Sequence, residues 1–184
     1  MLRLAAFLLL SAALAGPAAA TAIGGAVTYG PAHAEWVKLD PADRFAVGED
    51  TFEAPHLFVF DEDQNITLER DLTVDVGAYG QVIPKGSVVA SHYVFFDPGP
   101  WAAQQGYVDF DSVIIGVATS RDTLKASDFL ANTDVEYLNP TLRGLEWRDR
   151  VWIDPDDPFR IRVDWIALSP GDYVRVFTAR SPGV

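Results

Sequence analysis

The chain has 184 residues, no cysteine and a net charge of -12. The absence of cysteine excludes a fold held by disulfides, so the protein depends on core packing for its stability. The negative charge repels phosphate backbones, which excludes nucleic acid as an expected partner and disfavours anionic membrane surfaces. Divalent cations and neutral ligands such as sugars remain compatible with it.

The first twenty residues have the pattern of a cleavable export signal. Arg3 is followed by an apolar stretch from Leu4 to Leu14, and Ala18-Ala19-Ala20 forms an A-x-A cleavage site. Gly16-Pro17 interrupts the apolar run and no basic cluster follows it, which argues against a membrane anchor. We therefore expect residues 1–20 to be removed, leaving an exported protein without a transmembrane anchor, in the periplasm or the medium.

The remaining chain predicts a single β domain. Residues 21–34 are small and glycine-rich, which favours a flexible leader, and residues 35–184 have the length of one domain. Short alternating segments separated by turn residues favour an all-β fold, an antiparallel β-sandwich of jelly-roll type, with a closed barrel as the alternative. One or two short helices are expected within Ser120–Leu130, because Ser120 and Ser127 can cap them.

Three local signals predict how the strands connect. Pro84 and Gly86 predict a type I turn that folds the preceding segment back on Val88–Phe96. A change of face predicts a bulge near Asp111-Ser112. Ser169–Asp172 predicts the hairpin between the last two strands. The predicted core contains Val74, Val94, Phe110, Ile115, Val117, Ile161, Val163, Val174 and Val176.

One segment matches the start of a calcium-binding loop. Asp61, Asp63 and Asn65 follow the spacing D-x-D-x-N, whose side-chain oxygens are the ligands that calcium prefers. The match then ends, because Ile66 stands where the loop needs glycine and Leu72 where it needs glutamate. The pattern makes calcium the candidate metal, with an ordinary solvated turn as the alternative.

Motifs for nucleophilic catalysis are absent from the sequence. It contains no G-x-S-x-G, no H-E-x-x-H and no phosphate-binding loop. Ser91 and His92 are adjacent, but neighbours in a strand point to opposite faces and cannot form a Ser–His pair. A pair of glycosidase carboxylates would be set by distance in space, so the sequence leaves that class open.

The tryptophans give the one indication of a ligand. Trp101 lies in a Pro/Gly loop, where it is available to stack on a sugar ring, and we predict it as a ligand-binding residue. The other four, in strand-like contexts, are predicted in the core or on a sheet face. They are Trp36, Trp147, Trp152 and Trp165.

Short sequence motifs spread over residues 60–178 resemble those of a group of uncharacterised exported bacterial proteins, many of which carry a PEP-CTERM sorting tail. They are Ser91-His92-Tyr93, Phe96-Asp97-Pro98, Val108-Asp109-Phe110-Asp111, Ile115-Gly116-Val117, Leu124, Ala126-Ser127-Asp128, Tyr137, Arg143-Gly144-Leu145-Glu146, Ser169-Pro170-Gly171-Asp172 and Arg175-Val176. The resemblance implies a secreted β domain without an established activity. Because the sequence has no Pro-Glu-Pro motif, we expect free release or periplasmic residence.

Three functions remain open at this stage. The first is an exported non-catalytic binding or matrix module, with a carbohydrate as the favoured ligand. The second is a structural or interaction protein of the cell envelope, with an envelope protein as partner. The third is a carbohydrate-active hydrolase. Exposed Trp or Tyr on a concave face without clustered acids would favour sugar binding. Two carboxylates about 5–9 Å apart in a cleft would favour the hydrolase, and a flat polar surface with neither feature would favour the interaction protein.

Overall fold

A computed structural model describes residues 21–48, 51–168 and 170–180, and the predicted signal segment lies outside them. The described chain is mostly β-structure, which confirms the all-β prediction. The strands are β1 (Ala22–Tyr29), β2 (Trp36–Lys38), β3 (Ala46–Val47), β4 (Leu57–Asp61), β5 (Ile66–Thr67), β6 (Leu72–Thr73), β7 (Val76–Gly77), β8 (Val82–Ile83), β9 (Val88–Phe96), β10 (Ala102–Phe110), β11 (Ile114–Ala118), β12 (Glu136–Tyr137), β13 (Arg150–Ile153), β14 (Arg160–Ala167) and β15 (Asp172–Ala179). No helix among the described residues is long and apolar enough to cross a membrane.

Two sheets form the sandwich. The four-stranded sheet has the order β1-β10-β14-β13, and all its pairings are antiparallel. The seven-stranded sheet has the order β2-β4-β9-β15-β11-β7, with β5 also paired to β9. Apart from the parallel pair β2–β4, the pairings of this sheet are antiparallel.

Each face of the seven-stranded sheet is covered by apolar side chains. Its inner face packs on the four-stranded sheet through a core that includes Val94, Phe110 and Trp165. Its other face carries a second apolar cluster, in which Phe60 and Phe95 lie with Leu124. Burial on both faces explains why every residue of β9 after Val88 is buried.

The one α-helix of the described residues, α1 (Arg121–Ala126), lies where the sequence predicts it, and a 3-10 turn at Asp128–Leu130 follows. Ser120 caps the helix by accepting a hydrogen bond from the backbone nitrogen of Thr123. Asp75 reinforces the cap by accepting bonds from the backbone nitrogens of Thr119 and Ser120 at 2.6 and 2.8 Å. Two more 3-10 turns lie at Pro41–Asp43 and Pro140–Leu142.

The predicted flexible leader requires correction, because most of it is strand β1. The glycines that suggested looseness instead permit close packing. A Cβ atom at Gly25 would lie 2.7 Å from the carbonyl oxygen of Tyr107 and against the ring of Trp36. Glycine is therefore the residue that lets β1 approach β10 at this point.

The predicted connections also need correction. The strands flanking residues 169–172 form no hairpin, since β14 belongs to the four-stranded sheet and β15 to the seven-stranded one. The sequence also predicts a bulge near Asp111-Ser112. The chain instead crosses there from β10 in the four-stranded sheet to β11 in the seven-stranded sheet. The turn at Pro84 is closed by a bond from Ser87 to Pro84, with Gly86 at φ 88°, and β8 pairs with β6. All predicted core residues are buried except Ile115, which is half-buried.

Candidate functional site

The solvent side of the four-stranded sheet, called the outer face below, carries a row of large side chains. Trp152 on β13 pairs with Arg162 on β14, and Arg162 pairs with Tyr107 on β10. Directly paired residues point to the same side of a sheet, so these three side chains share the outer face. Trp152 is 37% exposed, which leaves part of its ring open to solvent.

A second row runs beside the first. Asp164 on β14 pairs with Gln105 on β10, and Gln105 pairs with Tyr29 on β1. Tyr29 is 63% exposed and Gln105 is also exposed. With strands about 4.8 Å apart, Trp152 and Tyr29 stand roughly 15 Å from each other across the sheet. The outer face therefore offers two exposed aromatic residues with polar groups between them.

Ion pairs hold the polar side chains of the outer face in place. Arg160 contacts Asp109 through two bonds of 2.6 and 3.0 Å, and its guanidinium lies 4.0 Å above the ring centroid of Tyr107. Arg162 donates to Asp154 at 2.6 Å. Because Arg160 covers one face of Tyr107, Trp152 and Tyr29 are the aromatic residues best placed for a ligand.

A cleft of about 600 Å³ adjoins the outer face at β13. Trp152, Arg150 and Asp164 line it from the sheet, and Glu146 and Asp149 line it from the preceding segment. This volume is in the range of small-molecule sites, about 300–1,000 Å³. The mixture of one indole ring with several hydrogen-bonding groups suits a polar ring-shaped ligand.

A smaller cavity of about 220 Å³ shares Glu146 with the cleft and contains Asp172. Asp172 is 2% exposed, and its Oδ2 atom has no hydrogen-bond partner. Burial, together with the negative charges of Asp149 and Glu146, raises the pKa of Asp172 to about 8. The Asp172 carboxyl therefore retains its proton at neutral pH.

Asp149, in contrast, has a hydrogen-bond donor at each of its carboxylate oxygens. Its Oδ2 atom accepts a bond from the backbone nitrogen of Glu146 at 2.8 Å, and its Oδ1 atom accepts one from Ile166 at 2.9 Å. The region thus combines one protonated acid, Asp172, with a carboxylate that is held by backbone donors.

Of the predicted metal ligands, Asp61 already has a partner at each of its carboxylate oxygens. The Oδ1 atom of Asp61 contacts Nδ1 of His92 at 2.7 Å, and its Oδ2 atom contacts Nζ of Lys38 at 2.7 Å. Among the described residues, no group of three or more histidine or acidic side chains is arranged to hold a metal ion. Calcium at Asp61, Asp63 and Asn65 stays a prediction, and a cation there would compete with Lys38 for Asp61.

Two further constellations contain reactive types of side chain, most of which are closed to solvent. Asp61, His92 and Thr178 follow one another at 2.7 and 3.1 Å in the order of a catalytic triad, yet His92 and Thr178 are fully buried. Glu62 and Arg175 form a bidentate pair at 2.6 and 2.9 Å, with both side chains fully buried. The buried members of both constellations join separate elements of the fold, which gives both a structural role.

The second of these constellations ties the helical segment to the sheet. Arg175 also donates to the carbonyl oxygen of Leu124 at 3.0 Å and to the hydroxyl of Ser127 at 2.8 Å. Glu62 in turn accepts bonds from Ser91 and Tyr137, each at 2.6 Å. As predicted, Ser91 and His92 point to opposite faces of β9.

Trp101, the predicted ligand-binding residue, is 65% exposed and directly precedes β10, the strand that carries Gln105 and Tyr107. It does not line the cleft beside Trp152. Of the other tryptophans, Trp165 is 1% exposed and belongs to the core, as predicted. Trp147 is 85% exposed in a turn, so its predicted place in the core or on a sheet is wrong.

Sequence reasoning missed Trp152, Asp149 and Asp172 as site residues. The exposure of Trp152 could have been predicted, because side chains alternate along β13 and Trp152 lies on the other face from the buried Val151. The nearness of Asp149 to Asp172 depends on tertiary structure and leaves no sequence signal. No protein-family model, curated protein or solved structure matches this chain.

Proposed function

We propose that this protein is an exported, non-catalytic carbohydrate-binding module whose ligand lies on the outer face and in the adjoining cleft. The observation that carries the proposal is the exposed ring of Trp152 at the edge of a 600 Å³ cleft, in register with polar side chains across the sheet. Export and the extracellular or periplasmic location rest on the predicted signal peptide.

The chemistry of a sugar fits this surface. The carbon–hydrogen faces of a pyranose ring stack on an indole, whose N–H is also available as a donor. Gln105, Asp164 and Arg162 supply amide, carboxylate and guanidinium groups for the hydroxyls. The ion pair of Arg162 with Asp154 holds the guanidinium in advance, which reduces the ordering cost of binding. A neutral glycan also avoids the repulsion that the overall negative charge would impose on an anionic one.

The test begins with an array of neutral glycans, followed by calorimetric titration of the best oligosaccharide against wild type and Trp152→Ala. We expect Trp152→Ala to weaken binding about tenfold or more, because a central aromatic contact of this kind dominates an interface. Trp147→Ala is the matched control. It removes the same side chain from a turn, where the guanidinium of Arg148 lies 4.6 Å from the ring.

The outcomes separate the possibilities. Equal loss of affinity in Trp152→Ala and Trp147→Ala would contradict a site on the outer face, as would full affinity in Trp152→Ala. Loss of affinity in Trp101→Ala alone would move the site to the start of β10. An intact fold in each variant is checked in two ways. The melting temperature should match that of the wild type, and so should the fluorescence spectrum after correction for the missing indole.

A glycoside hydrolase is the second candidate, and the protonated Asp172 beside Glu146 and Asp149 favours it. A carboxylic acid with a raised pKa next to a carboxylate is the pair that acid–base hydrolysis of a glycosidic bond requires. The measurement is release of reducing ends from the bound glycan over pH 5 to 8. Turnover that is lost in Asp172→Asn would support this candidate. Binding without any release of reducing ends would leave the binding module as the function.

A further inference from the structure

The cavity that contains Asp172 adjoins the cleft beside Trp152. Leu145 and Glu146 line both, and the cavity has a volume of about 220 Å³ against about 600 Å³ for the cleft. Small-molecule sites have volumes of about 300–1,000 Å³, so the cavity is too small for a whole ligand of that kind. Its size suits one substituent of a ligand whose body lies in the cleft.

Asp172 lacks the partner that a buried polar group requires. The residue is 2% exposed, and its Oδ2 atom has no hydrogen-bond partner. A buried polar atom without a partner is destabilising and is rare in folded proteins, so its presence in a cavity indicates a place for a ligand. A group that donates hydrogen bonds would satisfy this oxygen.

The charges that act on Asp172 are negative. Burial, together with the charges of Asp149 and Glu146, raises the pKa of Asp172 to about 8. Two arginines also line the cavity, but each lies in another setting. Arg143 forms a bidentate ion pair at 2.7 and 2.8 Å, and Arg121 is exposed at the start of α1. A positively charged donor beside Asp172 would relieve the repulsion among the three acids.

An ammonium group suits these acceptors better than a metal ion does. Calcium takes about six to eight oxygen ligands, whereas no group of three or more histidine or acidic side chains in the described ranges is arranged to hold a metal ion. Both carboxylate oxygens of Asp149 already accept bonds from backbone nitrogens. Of the three acids, Asp172 and Glu146 are therefore the available acceptors. An alkylammonium group brings three N–H donors and one positive charge to them.

We propose that this cavity binds, through Asp172 and Glu146, the primary ammonium group of an amino sugar whose ring lies in the cleft. The inference rests on the proposed carbohydrate-binding function and narrows the ligand to glycans with free amino groups. Asp172 gives up its proton to solvent on binding, and its carboxylate then pairs with the ammonium through a charge-assisted hydrogen bond. The net charge of -12 also attracts a cationic glycan to the protein.

The first experiment compares two tetrasaccharides with the same β-1,4 linkage, one of glucosamine and one of glucose, by calorimetric titration at pH 6. We expect wild type to bind the glucosamine tetramer about tenfold more tightly, because hydrogen bonds between charged groups are stronger than those between neutral groups. Asp172→Asn and Glu146→Gln should each remove most of this preference. Asp156→Asn is the control, since it removes a negative charge from an exposed position that does not line the cavity.

The second experiment uses probes without a sugar, so that the ammonium site is tested apart from the proposed function. Propylammonium carries the same donor group, and tetramethylammonium carries the same charge without an N–H. Carboxyl-detected NMR follows the titration of Asp172. Propylammonium should lower the pKa of Asp172, because a cation beside a carboxyl favours its charged form, and tetramethylammonium should lower it less.

Three results would overturn the inference. They are equal affinity of wild type for the two tetramers, a preference that survives in Asp172→Asn, and an Asp172 pKa that propylammonium leaves unchanged. In the first two cases binding of the glucose tetramer would still support the proposed function. If no glycan binds but propylammonium lowers the pKa of Asp172, the ammonium site stands and the carbohydrate-binding function fails.

Discussion

Replacing Asp172 by asparagine should make the protein more stable at neutral and alkaline pH. The wild-type carboxyl is buried without a partner for Oδ2 and lies near the negative charges of Asp149 and Glu146. Asparagine has nearly the same shape and cannot ionise. The substitution therefore removes the free-energy cost of protonating this carboxyl on folding at neutral pH, and of burying its charge at higher pH, while the shape of the site is kept.

The magnitude follows from linkage between protonation and folding. The pKa of Asp172 rises from 3.8 to about 8 on folding. Between these values the folded protein binds more protons than the unfolded chain, so its stability falls as pH rises. Each pKa unit corresponds to about 1.4 kcal/mol, which gives a loss on the order of 5 kcal/mol by pH 8. Below pH 4 both states are protonated and this loss is absent.

Urea unfolding, followed by tryptophan fluorescence at pH values from 4.5 to 8.5, measures the effect. Trp165, which is 1% exposed, reports on the core. The difference between Asp172→Asn and wild type should be small at pH 4.5 and should grow to about 2 M urea in midpoint at pH 8.5, for an ordinary dependence on denaturant. Asp156→Asn is the control, because it removes the same charge from an exposed position.

The reasoning is refuted if the stability curves of wild type and Asp172→Asn run parallel over the whole pH range. A constant offset would mean that the substitution changes packing and not protonation. An equal gain in Asp156→Asn would mean that the total negative charge of the protein, rather than the buried carboxyl, is responsible.

Three other substitutions test other parts of the structure. Glu62→Gln should destabilise the fold by about 3–5 kcal/mol in urea unfolding, because the fully buried Arg175 loses its bidentate carboxylate and keeps a single ion-pair contact of 3.2 Å to Asp128. Gly25→Ala should cost about 1–3 kcal/mol in the same assay, since its Cβ atom has no space between β1 and β10. The calcium hypothesis predicts that millimolar calcium raises the melting temperature relative to chelator and that Asp63→Ala removes the increase; an unchanged wild-type midpoint would reject it.

Turn chemistry could be read from the sequence, but the sheet that each strand joins could not. Gly171 has φ 88° at the predicted turn, and a Cβ atom there would lie 2.7 Å from the carbonyl oxygen of Phe96. The strands on either side alternate toward one shared core, to which Val163 and Val174 both contribute. Two consecutive strands bury every second residue whether they form a hairpin or lie in facing sheets. Their hydrophobic periodicity therefore does not distinguish the two arrangements.

The candidate site was less predictable than the fold for a related reason. The exposed tryptophan in a loop, Trp101, was identified from its neighbours in the sequence, whereas Trp152 depends on which side of β13 faces the core. The pKa of Asp172 depends on burial and on Asp149, which is 23 residues away in the chain but near in space. Such pairs become visible only with the tertiary structure.

The sheet order also constrains when the protein can fold during its synthesis. Strand β15, late in the chain, lies in the middle of the seven-stranded sheet between β9 and β11. Strand β1 pairs with β10, so it has no partner until β10 has been synthesised. Early segments therefore emerge without their partners, and long-range pairing of this kind is slow. A chain that stays unfolded until β15 is made would also suit the predicted export signal, because an unfolded chain can thread through a translocation channel. The same delay exposes the edges of β9 and β11 to aggregation if residues 172–179 are lost.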